Sequence, residues 1–214
     1  MRREDVLRFA EATPAPTRAE VARRRLLVGA AAAAWSAGIM LSVDGVRVAP
    51  RPLWLVLATG IASALVSAAV LWFAATRGRN MLGRSARTLA AVVVGAPVLL
   101  LAWKIGLTAC ADGMSDAWPM RPGTRCLTVS SLSALGPFLA LLWARRRTVT
   151  DHARWTGAAL GVAAGSVGWL VNDFRCQVGY WPHVLLGHLL PIAIFAALGL
   201  LLADVLSPRW IHPR

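Results

Sequence analysis

Long apolar runs alternate with short polar connections along the whole chain. A helix needs about 20 mostly apolar residues to cross a bilayer. Six runs approach or exceed that length: Leu26–Val43, Pro52–Ala75, Thr88–Cys110, Cys126–Ala144, Trp155–Val171 and Tyr180–Leu206. Each stays apolar for turn after turn, so it does not show the two-residue alternation of a membrane β-barrel strand. The expected fold is all-α, a polytopic bundle of six transmembrane helices joined by short loops. Residues 1–25 form an N-terminal tail, 26–206 the membrane domain and 207–214 a C-terminal tail. The first run follows charged residues as a signal peptide would. It lacks a clear small-x-small cleavage site, so it reads as a retained first helix.

The connections differ in charge. Seventeen arginines lie in the N-terminal tail, the second and fourth connections and the C-terminal tail, against five in the remaining three connections. Arginine and lysine accumulate on the cytoplasmic side of membrane proteins. Both termini are therefore expected in the cytoplasm, which an even number of spans permits. The net charge of +13 would suggest nucleic acid in a soluble protein. In a chain that is 57% hydrophobic with mean hydropathy +0.58, it reads as topology. No direct contact with nucleic acid is expected, and the lipid bilayer is the first partner.

Local signals refine the runs. Thr17 followed by Glu20 has the spacing of a capping box at the start of the first span. Before it, Arg3–Ala12 can form a short amphipathic helix with Val6, Leu7 and Phe9 on its apolar face, broken by the prolines of Thr13–Thr17. Such a helix either lies on anionic lipid or docks a soluble partner. Pro97 interrupts the third span. Lys104, the single lysine, sits near the outer end of that span and is expected to snorkel to the interface. The sharper alternative is that it lowers the pKa of Cys110, six residues on. In the fifth span Gly157, Gly161 and Gly165 recur every four residues, with Gly168 after them. That spacing lets two helices approach closely.

The candidate chemistry lies on the outer side. Cys110 ends the third span, Cys126 starts the fourth and Cys176 follows the fifth. Cys126 with Cys176 is the favoured pairing, because a bond there ties different helix pairs; Cys110 with Cys126 is the competitor. A static disulfide, a redox- or metal-responsive pair and inert thiols all remain open. His183 and His188 are close in sequence to Cys176, and thiolate with imidazole suits zinc, copper or cadmium. Their five-residue separation fits one α-helical face poorly, so satisfied interfacial histidines are the competing reading. No resident cofactor is expected beyond a metal at these thiols. There is no nucleotide loop and no Ser/His/Asp arrangement, so an enzyme is not expected.

The second half of the chain carries a resemblance. RCLTVSSLSALGPFLALLWARR (Arg125–Arg146), a Gly/Ala-rich span, FRC (Phe174–Cys176) and PHVLLGHLLP (Pro182–Pro191) resemble the NrsF-like family of six-span anti-sigma factors. The light-responsive CarR-like anti-sigma factors are similar in span count and size. The resemblance implies that the chain sequesters an extracytoplasmic-function sigma factor and releases it on a stress or light signal. Arg3, Val6, Leu7 and Phe9 of the tail would then contact it, with Arg79, Arg84 and Arg146 of the inner loops. Cys126 and Cys176 match the family's sensing cysteines, and Cys110 is extra. The alternative is a membrane enzyme or small transporter using Cys126, Cys176, His183 and His188. A third reading is a structural subunit meeting its partner through the fifth-span glycines.

Overall fold

The computed structural model describes residues 17–43, 45, 52–76, 84–111, 123–145, 152–176 and 178–206. Its elements are α1 (Arg18–Ser42), α2 (Leu53–Ala75), α3 (Ala86–Ala109), α4 (Thr124–Arg145) and α5 (Ala153–Arg175). Then come a short α6 (Trp181–Val184), a π-helical turn (Leu185–Leu189) and α7 (Leu190–Leu206), which run on as one last helix. There is no strand among the described residues, as expected. The tail residues Arg3, Val6, Leu7 and Phe9 and the loop residues Arg79 and Arg146 lie outside the described residues.

Five of these helices are long and apolar enough to cross a membrane: α1, α2, α3, α4 and the last helix. The exception is α5, and its position explains why. Seventeen of its 23 residues are buried, and it packs against α2, α3, α4 and α7. A helix enclosed by other helices needs small and polar residues for packing and hydrogen bonds, not an apolar face toward lipid. The helices around it carry the outward apolar side chains, including Leu57, Ile61, Leu65, Trp72, Val98, Leu139 and Leu201.

The glycines of α5 do what their spacing predicts. A Cβ at Gly157 would overlap the Gly199 carbonyl oxygen of α7, and one at Gly161 the Phe195 carbonyl oxygen. At Gly165 it would lie 2.6 Å from the Ile192 Cα. Gly168 faces α4 instead, against the Ser130 carbonyl oxygen. Hydroxyls tie α5 to its other neighbours as well: Ser67 Oγ of α2 donates to the Ser166 carbonyl at 2.8 Å, and Ser130 Oγ of α4 to the Gly168 carbonyl at 3.2 Å. Around them, Phe138, Leu141, Leu160, Trp169, Ile192 and Phe195 form the main apolar core.

At the end of the bundle holding the start of α1, the expected capping box forms. The Glu20 amide donates to Thr17 Oγ1 at 3.2 Å, and the Thr17 amide to Glu20 Oε2 at 2.8 Å. At the same end two arginines close α2. Arg145 donates to the Ala74 and Thr76 carbonyls at 3.0 and 2.7 Å, while Arg84 donates to Thr76 Oγ1 at 2.5 Å and stacks 3.7 Å from the Phe73 ring centroid. Cations at a helix C-terminus satisfy its last carbonyls and its dipole. Arg84, expected as a contact for a partner, thus has a structural task in this fold. Along its length α1 leans on α4, where Trp35 Nε1 donates to the Leu132 carbonyl at 2.7 Å.

Two expectations about charge are corrected. Lys104 does not snorkel: it is 2% exposed, and its Nζ lies 2.8 Å from Asp173 Oδ1. That engagement also removes it as a modulator of Cys110, which is exposed. Asp173 and Arg175, read as loop residues, belong to the last turn of α5 and are buried. The run of apolar residues ends at Val171, but the helix continues because Trp169 Nε1 donates to Asp173 Oδ2 at 2.9 Å and Arg175 reaches the Val43 carbonyl.

Candidate functional site

Cys126, Cys176, His183 and His188 converge at the opposite end of the bundle from the capping box. One ligand atom from each lies within 4.8 Å of the others. Four segments deliver them. Cys126 is in the first turn of α4, Cys176 caps α5, His183 is in α6 and His188 is in the π-helical turn. The four side chains are buried except Cys126, which is half-buried.

The π turn resolves the spacing problem. An α-helix would put residues five apart on different faces. The wider π turn absorbs one extra residue, so His183 and His188 point the same way, with ring centroids 5.8 Å apart. The turn abuts the start of α4 through facing glycines. A Cβ at Gly187 would lie 2.8 Å from the Cys126 Cβ, and one at Gly123 would lie 2.8 Å from the Gly187 nitrogen. Any larger side chain at either position would push Cys126 away from the histidines.

Hydrogen bonds hold the frame. Asn172 Nδ2 donates to the Cys126 carbonyl at 2.8 Å, to Ser130 Oγ at 2.5 Å and to the Gly187 carbonyl at 3.4 Å. One amide thus joins α5, α4 and the π turn. Cys176 Sγ lies 3.1 Å from His183 Nε2, and the Val178 amide donates to the same sulfur at 3.4 Å. His188 packs edge-on against Trp169 with ring centroids 5.2 Å apart. Both of its ring nitrogens are buried with no hydrogen-bond partner among the described residues. The Cys176 thiol is held below its ordinary range, first by the Cys126 thiol that donates to it and then by His183, against an opposing effect of burial.

Cys126 and Cys176, the favoured pair, are thus brought together as free thiols, and Cys110 is not part of the cluster. It is exposed at the C-cap of α3. Asn172, Gly123 and Gly187 were missed by sequence reasoning. Only the glycines left a signal, and it needed the π turn to be interpretable.

A family model described as negative regulator of sigma F matches residues 9–210. The chain belongs to this family, NrsF. No curated protein and no solved structure matches it. The NrsF match covers the tail from residue 9, all of the helices and the whole Cys/His cluster. It upholds the resemblance carried by Arg125–Arg146, Phe174–Cys176 and Pro182–Pro191, and not the CarR-like one. The NrsF family is one of negative regulators, as its description states.

Proposed function

We propose that this chain is an inner-membrane anti-sigma factor that holds an extracytoplasmic-function sigma factor at the cytoplasmic surface, away from RNA polymerase. The observation that carries the reading is the match to negative regulators of sigma F over nearly the whole chain, in a protein built of membrane-length apolar helices. All six long helices cross the bilayer, α5 shielded by its neighbours. The arginine asymmetry supports cytoplasmic termini. The capping-box end of the bundle then faces the cytoplasm, and the Cys/His cluster faces outward.

The docking surface consists of Arg3, Val6, Leu7 and Phe9 of the tail, together with Arg79, Arg84 and Arg146 of the inner loops. A short peptide alone buries less than the roughly 800 Å² per partner of a stable interface, so several segments act together. Release follows a change at the cluster, because Cys126 and Cys176 lie on helices that reach the cytoplasmic face through α4 and α5. Co-purification tests this. A chain lacking Met1–Thr17 should lose the sigma factor and its repression while remaining in the membrane. Unchanged retention and repression would defeat the docking assignment.

A further inference from the structure

The outer cluster has the composition, enclosure and unmet valence of a closed structural metal site. Two sulfurs and two imidazole nitrogens come from four separate segments and lie within 4.8 Å of one another. A tetrahedral zinc shell with bonds of about 2.0–2.3 Å has ligand–ligand edges of roughly 3.3–3.8 Å. The Cys176 Sγ to His183 Nε2 separation of 3.1 Å is already at that scale. Closing the rest requires only a small contraction around a central ion.

A second observation is independent of that geometry. His188 is 0% exposed, yet neither ring nitrogen has a hydrogen-bond partner among the described residues. A neutral imidazole carries one N–H donor and one acceptor, and a buried unmet polar group is destabilising. Coordination would satisfy the acceptor. The π turn is the local distortion that delivers this ring to the thiols, and π-helical turns recur at functional sites. The support is also that of a ligand set. The Val178 amide points at the Cys176 sulfur, and Asn172 fixes the backbone of Cys126 and of Gly187, the residue before His188.

We propose that Cys126, Cys176, His183 and His188 bind one zinc ion in a closed tetrahedral site that staples the outer ends of α4 and α5 to the last helix. Sulfur with imidazole and no oxygen ligand selects a soft or borderline ion over magnesium or calcium. Four protein ligands leave no open position, so the ion is structural and not catalytic. As a metal site this stands on the geometry alone; as a control point for sigma-factor release it rests on the anti-sigma reading.

The test uses the full chain purified in detergent under reducing conditions, without a sigma factor. Elemental analysis should find one zinc per chain. Chelation followed by Co2+ should produce thiolate-to-cobalt charge-transfer bands and the intense visible bands of tetrahedral cobalt. His183→Gln and His188→Gln should each weaken cobalt binding at least tenfold and distort those bands. Cys126→Ser and Cys176→Ser should each weaken the charge transfer, and Cys110→Ser should change nothing. The wild-type measurement needs no variant to fold. A reduced wild-type chain with no zinc and no cobalt bands overturns the proposal. So does wild-type binding that survives His188→Gln unchanged, or that is lost in Cys110→Ser. Sigma-factor capture by the same preparation is scored separately, so failure of the metal site and failure of the anti-sigma reading give different results.

Discussion

Replacing Lys104 with methionine removes the cation of the buried Lys104–Asp173 pair and keeps the length of the side chain. The two side chains are 2% and 3% exposed and meet at 2.8 Å. Trp169 still donates to Asp173 Oδ2, so the carboxylate keeps part of its stabilisation when the ammonium is removed. Removing one partner of a buried pair costs about 3–5 kcal/mol, because the other charge is left uncompensated. Lys104→Met is therefore expected to destabilise the bundle by about 3 kcal/mol, roughly two powers of ten in the folding equilibrium. Asp173→Asn should cost about as much, since it strands the ammonium. The double variant Lys104→Met/Asp173→Asn removes both charges and should be more stable than either single variant. The assay is reversible unfolding in mixed micelles by added anionic detergent, followed by tryptophan fluorescence. Neutral hydrogen bonds within membranes couple by only about 0.6 kcal/mol on average. A coupling at that level, or a Lys104→Met variant within about 0.5 kcal/mol of wild type, would refute the claim that this pair is an ionic lock between α3 and α5.

Gly161→Leu should cost several kcal/mol in the same assay, because its Cβ would overlap the Phe195 carbonyl oxygen of α7; Gly29→Ala, with nothing within 4 Å, should be neutral or stabilising by up to about 1 kcal/mol. Asn172→Ala leaves the Cys126 carbonyl without this donor and should cost about 1–3 kcal/mol in unfolding. The same variant should also speed alkylation of Cys126, and an unchanged rate would separate Asn172 from the thiol site. Cys110 is exposed, so in a Cys126→Ser/Cys176→Ser background a membrane-impermeant maleimide should label it in right-side-out vesicles. Labelling only in inverted vesicles would reverse the proposed topology. Thr17→Ala removes the reciprocal cap with Glu20 and should lower stability by about 1 kcal/mol.

Much of the fold was legible because membrane helices announce themselves by length and apolarity, and the glycine spacing of α5 implied close packing in any helical bundle. The Thr17–Glu20 cap was legible for the same local reason. What escaped were features that depend on neighbours. The apolar run of the fifth span stops at Val171, but α5 goes on to Arg175 because Lys104 of α3, Trp169 and the Val43 carbonyl meet its polar residues. Lys104 looked like a snorkelling residue because its partner is 69 positions away. The histidines looked mismatched because α-helical periodicity was assumed across Leu185–Leu189, where the helix takes a π turn. The cluster's members could be named one by one. Their convergence could not, since it depends on Gly123 and Gly187 letting two backbones touch.

The central claim is that this chain retains a sigma factor at the membrane. The most direct measurement is gentle solubilisation of native membranes, capture of the full chain through a C-terminal tag, and identification of what is held in near-equal amount. The account predicts a sigma factor of the extracytoplasmic-function class, and predicts its loss when Met1–Thr17 is deleted. Capture of the intact chain without any sigma factor, from cells in which the sigma factor is present and repressed, would contradict it.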